Sequence, residues 1–155
     1  MRRFNVFAPE FAYDDGRPPG YRAGSARLGP ALGARRLAAT VYELPTGEST
    51  WPYHYEYGAE EWVLVLEGRP TLRHPGGEDE LAPGDVVCCP DGPDGAHKVT
   101  NHGEATARLM IVSTAGRPAV AVFPDSDKLG VWPDGEADIL ISRRASAVDY
   151  WDGER

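Results

Sequence analysis

Between Gly47 and Gly68 the chain places His54, Glu56, Glu60 and Glu61 within eight positions, then runs into Val63-Leu64-Val65-Leu66. Such an apolar run reads as a buried strand. Imidazole and carboxylate groups beside a buried strand are costly unless something compensates them, and a divalent cation compensates a mixed His and carboxylate set directly. On an extended chain, residues two apart share a face at roughly 6.5–7 Å. His54 and Glu56 therefore point together, with Tyr53, Tyr55 and Tyr57 on the other side. Glu61 opens the strand after the Gly58 break and can lie beside them. The alternation Glu61, Val63, Val65 carries apolar residues on the same face and leaves Glu60 as a solvated turn residue. Downstream, Gly84, Pro90 and Gly92 precede His97, and Asn101 follows it. Packing of the second segment against the first would complete a four-donor set of His54, Glu56, Glu61 and His97.

The elements that must hold these residues read as strands. Arg36–Leu44 is the clearest, ended by Pro45, Thr46 and Gly47. The alternating, aromatic-rich STWPYHYEY follows, then Glu61–Glu67, TLRH with a hairpin tip at HPGGED, the short VVCC, Ala96–Asn101, Ala105–Thr114 and Ala119–Phe123. The 18 glycines and 14 prolines fall between β-branched and aromatic runs. That is the punctuation of an all-β barrel or sandwich. No segment shows helical periodicity. Residues 1–35 read as an irregular N-terminal arm lying on the barrel, 36–123 as the barrel, and 124–155 as an edge strand and wrapping tail.

At 155 residues the chain is expected to form one domain with a real core. Its formal net charge of −8 argues against nucleic acid or an anionic membrane surface as a partner. An anionic small substrate stays open, because a metal can dominate the field inside a pocket. No apolar run approaches the roughly 18 residues of a membrane span, and the basic start MRRFNVFAPE has no apolar leader segment. Cys88 and Cys89 are the only cysteines and do not make a disulfide framework, so a cytoplasmic location is expected.

The spacing of these residues resembles the two motifs of the cupin superfamily. In the first motif a glycine precedes a His-x-His pair, a glutamate follows, and a second glycine closes it. Gly47 stands one residue further upstream than usual, His54 takes the first ligand position, Glu61 the glutamate position, and Gly68 follows at the family's distance. In the second motif Gly84, Pro90 and Gly92 match. His97 and Asn101 keep their mutual spacing after a loop two residues longer than usual. The resemblance covers roughly residues 36–115. It implies an all-β double-stranded β-helix (jelly-roll) barrel, one divalent ion such as Fe, Mn, Zn or Ni on His54, Glu56, Glu61 and His97, and a homodimer.

Glu56 stands where the family has its second histidine. The exchange removes one unit of positive charge from the loaded site, favours harder metals and lowers the ion's Lewis acidity. Without an ion, two close carboxylates resist ionising together, and one becomes a general acid. Glu56 and Glu61 are accordingly the candidate catalytic residues. The expected function is a metal-dependent small-molecule oxygenase or related oxidoreductase. The alternatives are an isomerase or epimerase, with or without a metal, and a non-catalytic binding barrel. Outside the set, His74 and His102 at turns are expected to face solvent, and one of Cys88 and Cys89 to be a small core residue. Trp51, Tyr53, Tyr55, Tyr57 and Trp62 are expected to pack sheets or an interface, with lining of a mouth as the alternative. Arg108 is expected to point outward.

Overall fold

The computed structural model describes residues 1–114, 116–133 and 136–154. Among the described residues, twelve strands run in chain order: β1 (Gly24–Arg27), β2 (Leu37–Leu44), β3 (Tyr55–Tyr57), β4 (Glu61–Glu67), β5 (Thr71–His74), β6 (Gly77–Glu80), β7 (Val86–Cys89), β8 (Lys98–Thr100), β9 (Ala107–Thr114), β10 (Ala119–Phe123), β11 (Lys128–Trp132) and β12 (Leu140–Arg143). They form a five-stranded sheet β1-β2-β9-β4-β7, a four-stranded sheet β12-β11-β10-β3 and a three-stranded sheet β6-β5-β8. Every pairing among them is antiparallel. The two smaller sheets are joined by an isolated antiparallel bridge between His54 and His97. Together they make the second layer of an all-β jelly-roll barrel, the fold that the motifs imply.

The alternation in β4 explains the barrel's inside. Val63 and Val65 are fully buried, while Trp62, the residue before Val63, is half-exposed. Val63 and Val65 meet Leu44, Leu72, Val99 and Leu109 in the main core. A second cluster lies on the outer side of the five-stranded sheet, where Ala26, Leu28 and Val41 pack with Phe4, Val6, Phe11, Leu66 and Met110.

That second cluster corrects the reading of the arm. Residues 24–27 pair with Thr40–Glu43 as β1, and a short helix, α1 (Leu28–Leu32), follows it. The segment GRPPGYRAGSARLGPALG is too rich in glycine and proline to announce either element. Its strand forms because β2 offers a free edge and Ala26 and Leu28 find an apolar sheet face to cover. The arm is pinned further along its length. Ala12 bridges Ser25, the Ser49 amide donates to the Gly20 carbonyl at 2.8 Å, and the Arg22 amide donates to Glu48 at 2.6 Å. At the other end, β11 and β12 continue the sheet begun by β10, so a hairpin stands where one edge strand was expected.

Asn101 fastens the turn between β8 and β9. Its side chain is buried, donates to the Leu44 and Ala105 carbonyls at 2.8 Å each, and accepts from the Gly103 amide at 3.0 Å. Asn101→Ala leaves those groups unpaired in a dry site. We expect it to cost about 2–4 kcal/mol, at 1–3 kcal/mol for each buried group left without a partner. Urea unfolding monitored by tryptophan fluorescence measures it.

Candidate functional site

His54 and His97 are placed opposite each other by main-chain hydrogen bonds. The His54 amide donates to the His97 carbonyl at 3.1 Å, and the His97 amide donates to the His54 carbonyl at 2.8 Å. Their rings lie 4.9 Å apart between centroids, and Phe123 stacks on His54 at 5.9 Å. Each ring turns its Nδ1 onto a carbonyl two residues upstream: His54 onto Pro52 and His97 onto Gly95, both at 2.9 Å. A carbonyl only accepts, so each Nδ1 carries the proton and each Nε2 presents a lone pair. The bends at Pro52 and in the loop before His97 are what supply those carbonyls. Gly95 has no alternative residue there, since a Cβ would sit 1.7 Å from the Pro90 carbonyl oxygen.

Glu61 begins β4 and brings its carboxylate to both lone pairs. Its Oε2 lies 3.3 Å from His97 Nε2 and 3.9 Å from His54 Nε2. Two lone pairs and a carboxylate oxygen facing each other in a buried pocket repel unless a proton or a cation sits among them. The donor atoms of His54, Glu61 and His97 all lie within 4.8 Å of one another. Those separations suit an ion bonded to each at about 2.0–2.2 Å. Orientation of metal-binding imidazoles by a hydrogen bond from the far nitrogen is the usual supporting arrangement. The residues therefore fit a divalent ion.

Glu56 is not among the three converging donors. It lies on the same strand face as His54, lines the same cavity, and feels the charge of Glu61. Glu60 is exposed, accepting from Trp62 Nε1 at 2.9 Å, and plays no part in the cavity.

The cavity holds about 600 Å³ and opens beside the His54, Glu56 and Glu61 wall. The sequence reading left several of its residues unassigned. Thr40 and Tyr42 come from β2, Phe123 from β10, and Arg17, Ser25 and Arg27 from the N-terminal arm. Trp51 and Tyr57 also line it, in line with the alternative of lining a mouth. Trp51 Nε1 donates to the Tyr42 hydroxyl at 3.1 Å. Arg108 points away from the cavity, tied to Glu43 at 2.6 and 2.8 Å and to Glu67 at 3.3 Å. Cys89 is buried in the core, and burial pushes its thiol up to about 12, so it acts as a small apolar side chain. Cys88 and His102 are exposed. His74 is partly exposed and sits 3.1 Å from Asp79.

Burial sets the proton chemistry of the site. It pushes His54 down to about 4, helped by the neighbouring His97, and holds His97 below its ordinary value. It pushes Glu61 up to about 7, and, with the charge of Glu61, pushes Glu56 up to about 7. In the metal-free protein the folded carboxyls therefore keep protons that the unfolded chain releases between the ordinary 4.5 and about 7. Stability falls as pH rises through that window. The histidines act oppositely: the unfolded chain charges them below 6.5 while the folded state keeps His54 neutral to about 4, so stability falls as pH drops. The trends offset between 4.5 and 6.5. Above 6.5 only the carboxyl loss remains, and below 4.5 only the histidine loss. Urea midpoints of the metal-free protein are expected to fall on both sides of that plateau. Saturating divalent metal should remove the upper decline, because the ion favours ionised Glu61 and neutral imidazoles.

Comparison with known proteins agrees with this geometry. Residues 40–113 match the family described as Cupin_2, cupin domain. A solved structure from Acidithiobacillus ferrooxidans ATCC 23270, provisionally named a sugar phosphate isomerase, is similar at 27% identity, covering 84% of this chain and 82% of that one with a TM-score of 0.77. A sugar phosphate isomerase of the cupin superfamily from Silicibacter pomeroyi DSS-3 shares the fold at 23% identity, covering 97% and 98% of the two chains with a TM-score of 0.81. The polyketide cyclase RemF from Streptomyces resistomycificus is 26% identical over 77% of this chain and 83% of its own, with a TM-score of 0.61. No curated protein sequence matches. No helix among the described residues is long and apolar enough to cross a membrane. The family match spans the segments that carry His54, Glu56, Glu61 and His97, and together with the structural likenesses it supports a small cupin-domain protein, the cupin domain lying at residues 40–113.

Proposed function

We propose that the protein is an isomerase that moves a proton between neighbouring carbons of a small hydroxy-carbonyl compound, with His54, Glu61 and His97 holding one divalent ion and Glu56 carrying the proton. The observation that supports it most is the division of the acidic residues. Glu61 converges with the two imidazoles, while Glu56 lies outside that group on the same cavity wall. A divalent ion held there would polarise the substrate's carbonyl and hydroxyl oxygens.

The protein's own groups account for the rest. Glu56, ionised, takes the proton from the hydroxyl-bearing carbon beside the carbonyl; the C–H bond pair becomes the C=C bond of an enediolate and the carbonyl π pair moves onto its oxygen. Glu56 then delivers a proton to the former carbonyl carbon while the hydroxyl proton passes to the former carbonyl oxygen and the hydroxyl oxygen becomes the new carbonyl, so no oxidant or reductant is consumed. The Nδ1 bonds to Pro52 and Gly95 hold both imidazoles in one tautomer throughout. Phe123, Trp51 and Tyr42 give the cavity a largely apolar wall beside the reacting groups. The resemblance to structures named sugar phosphate isomerases adds to this reading.

The test is anaerobic incubation of the Mn(II)- or Zn(II)-loaded protein with ribulose 5-phosphate and with fructose 6-phosphate, followed by NMR. Interconversion to an aldose isomer supports the proposal. Recovery of both compounds unchanged, with uptake of dioxygen when air is admitted, contradicts it.

That second outcome corresponds to the oxygenase reading, which one observation favours. Two histidines and one carboxylate with open positions is the donor set of non-haem iron oxygenases. On either reading the partner is a small molecule. A cytoplasmic location and a homodimer belong to the proposal as well.

A further inference from the structure

The arm that closes the cavity carries a guanidinium with an unmet hydrogen bond. Arg17 Nη1 is buried and has no hydrogen-bond partner among the described residues. Its Nε stands 3.7 Å from Asp14, and the Asp14 carboxylate is already engaged by the Gly16 amide at 3.0 Å. The guanidinium stands over the Trp51 ring, with Cζ 4.4 Å from the ring centroid. Trp51 in turn bonds Tyr42, and the Arg17 and Glu61 charges both act on the Tyr42 hydroxyl. Arg17, Trp51 and Tyr42 thus form one continuous wall leading to Glu61. Arg27 and Arg117 reach the same cavity. Arg117 gives one N–H to the Trp132 carbonyl at 3.1 Å, and neither has a carboxylate partner among the described residues. The carboxylates on the cavity wall, Glu56 and Glu61, stand with the two histidines.

The cavity wall therefore carries both kinds of charge: carboxylates and imidazoles suited to a metal and to proton transfer, and guanidinium groups. A guanidinium N–H that is desolvated and unpaired costs free energy that a bound oxyanion recovers. The planar fork matches two oxygens of a carboxylate or phosphate, and the cation–π contact with Trp51 restricts where it sits. We propose that Arg17 is the anchor for an oxyanion, phosphate or carboxylate, at the far end of the ligand whose other end reaches Glu56 and Glu61. The ligand class is a small polyhydroxy compound with a terminal anionic group. This inference rests on the reading that the cavity holds a small-molecule substrate. It does not depend on which reaction follows.

The experiment titrates the full chain, loaded with Zn(II), with ribose 5-phosphate, ribonate and neutral ribose, following the fluorescence quench of Trp51 and heat by calorimetry. At least one anionic compound is expected to bind about 10- to 100-fold more tightly than ribose, the range for charge-assisted hydrogen bonds. Tighter binding of ribose 5-phosphate assigns a phosphate; tighter binding of ribonate assigns a carboxylate. Arg17→Met should abolish the preference for the charged compound, and Arg17→Lys should lose most of it because the fork is gone. Zinc stoichiometry should be unchanged in both, and Arg69→Met on the surface should behave as the parent. Equal binding of all three compounds by the parent overturns the inference. So does a charge preference that survives in both Arg17 variants. Selective anion binding with no isomerisation would leave the Arg17 site standing and remove the isomerase. Equal turnover of charged and neutral sugars would do the reverse.

Discussion

Replacing His97 by alanine is expected to lower divalent-metal affinity by at least about 100-fold. Loss of a mere supporting partner around a metal typically costs 10- to 100-fold, and His97 is one of only three converging donors among the described residues. The barrel should still fold. The main-chain bonds between residues 54 and 97 do not need the imidazole, and the unmet Gly95 carbonyl costs about 1–3 kcal/mol. Elemental analysis after exposure to Mn(II), Fe(II), Ni(II) and Zn(II) checks the result, with the urea midpoint reporting the fold. His74→Ala is the control, since that residue stands at the β5–β6 hairpin beside Asp79. Retained stoichiometry in His97→Ala would place the ion elsewhere.

Replacing Glu56 by glutamine is expected to reduce kcat by about 10²- to 10⁴-fold, the usual contribution of a positioned general base. Metal stoichiometry should stay at the parent value. Glutamine keeps the size and hydrogen-bonding capacity of the side chain but cannot accept the substrate's proton. The sequence expectation made Glu56 a fourth metal ligand, and this variant separates the roles. If Glu56 bonds the ion, Glu56→Gln weakens metal binding and Glu56→His changes which metal is preferred. If Glu56 carries only protons, Glu56→His leaves the metal profile alone and lowers turnover.

The residues legible in the sequence are those whose spacing is local. His54, Glu61 and Gly68 lie on one strand–turn–strand segment, and the period-two pattern of β4 already sets Glu61 with Val63 and Val65. Asn101 follows His97 across the three residues of β8, so one short strand carries both. The convergence of His54 with His97 needed the downstream motif as well, because nothing within either segment names its partner. The cavity's other wall was not legible. Thr40 and Tyr42 look like ordinary residues of an amphipathic strand, and only the β2–β9–β4 order turns them toward the site. Arg17 sits between Gly16 and Pro18 in a stretch that reads as loop. Its meaning comes from Trp51 beneath it, a contact between an arm and a barrel that no periodicity encodes. β1 was hidden for a related reason. Gly24 looks like a breaker, yet the absence of its Cβ is what admits the Tyr13 ring, 2.7 Å from where that atom would be.

The central claim, proton transfer by Glu56 beside an ion on His54, Glu61 and His97, is tested most directly by hydrogen exchange. The zinc-loaded parent and Glu56→Gln proteins would be incubated with ribulose 5-phosphate in D₂O under argon, and deuterium at the carbon beside the carbonyl read by NMR. The account predicts deuterium uptake by the parent and its near-complete loss in Glu56→Gln with zinc content equal. No uptake by the parent, or equal uptake by both proteins, would contradict it.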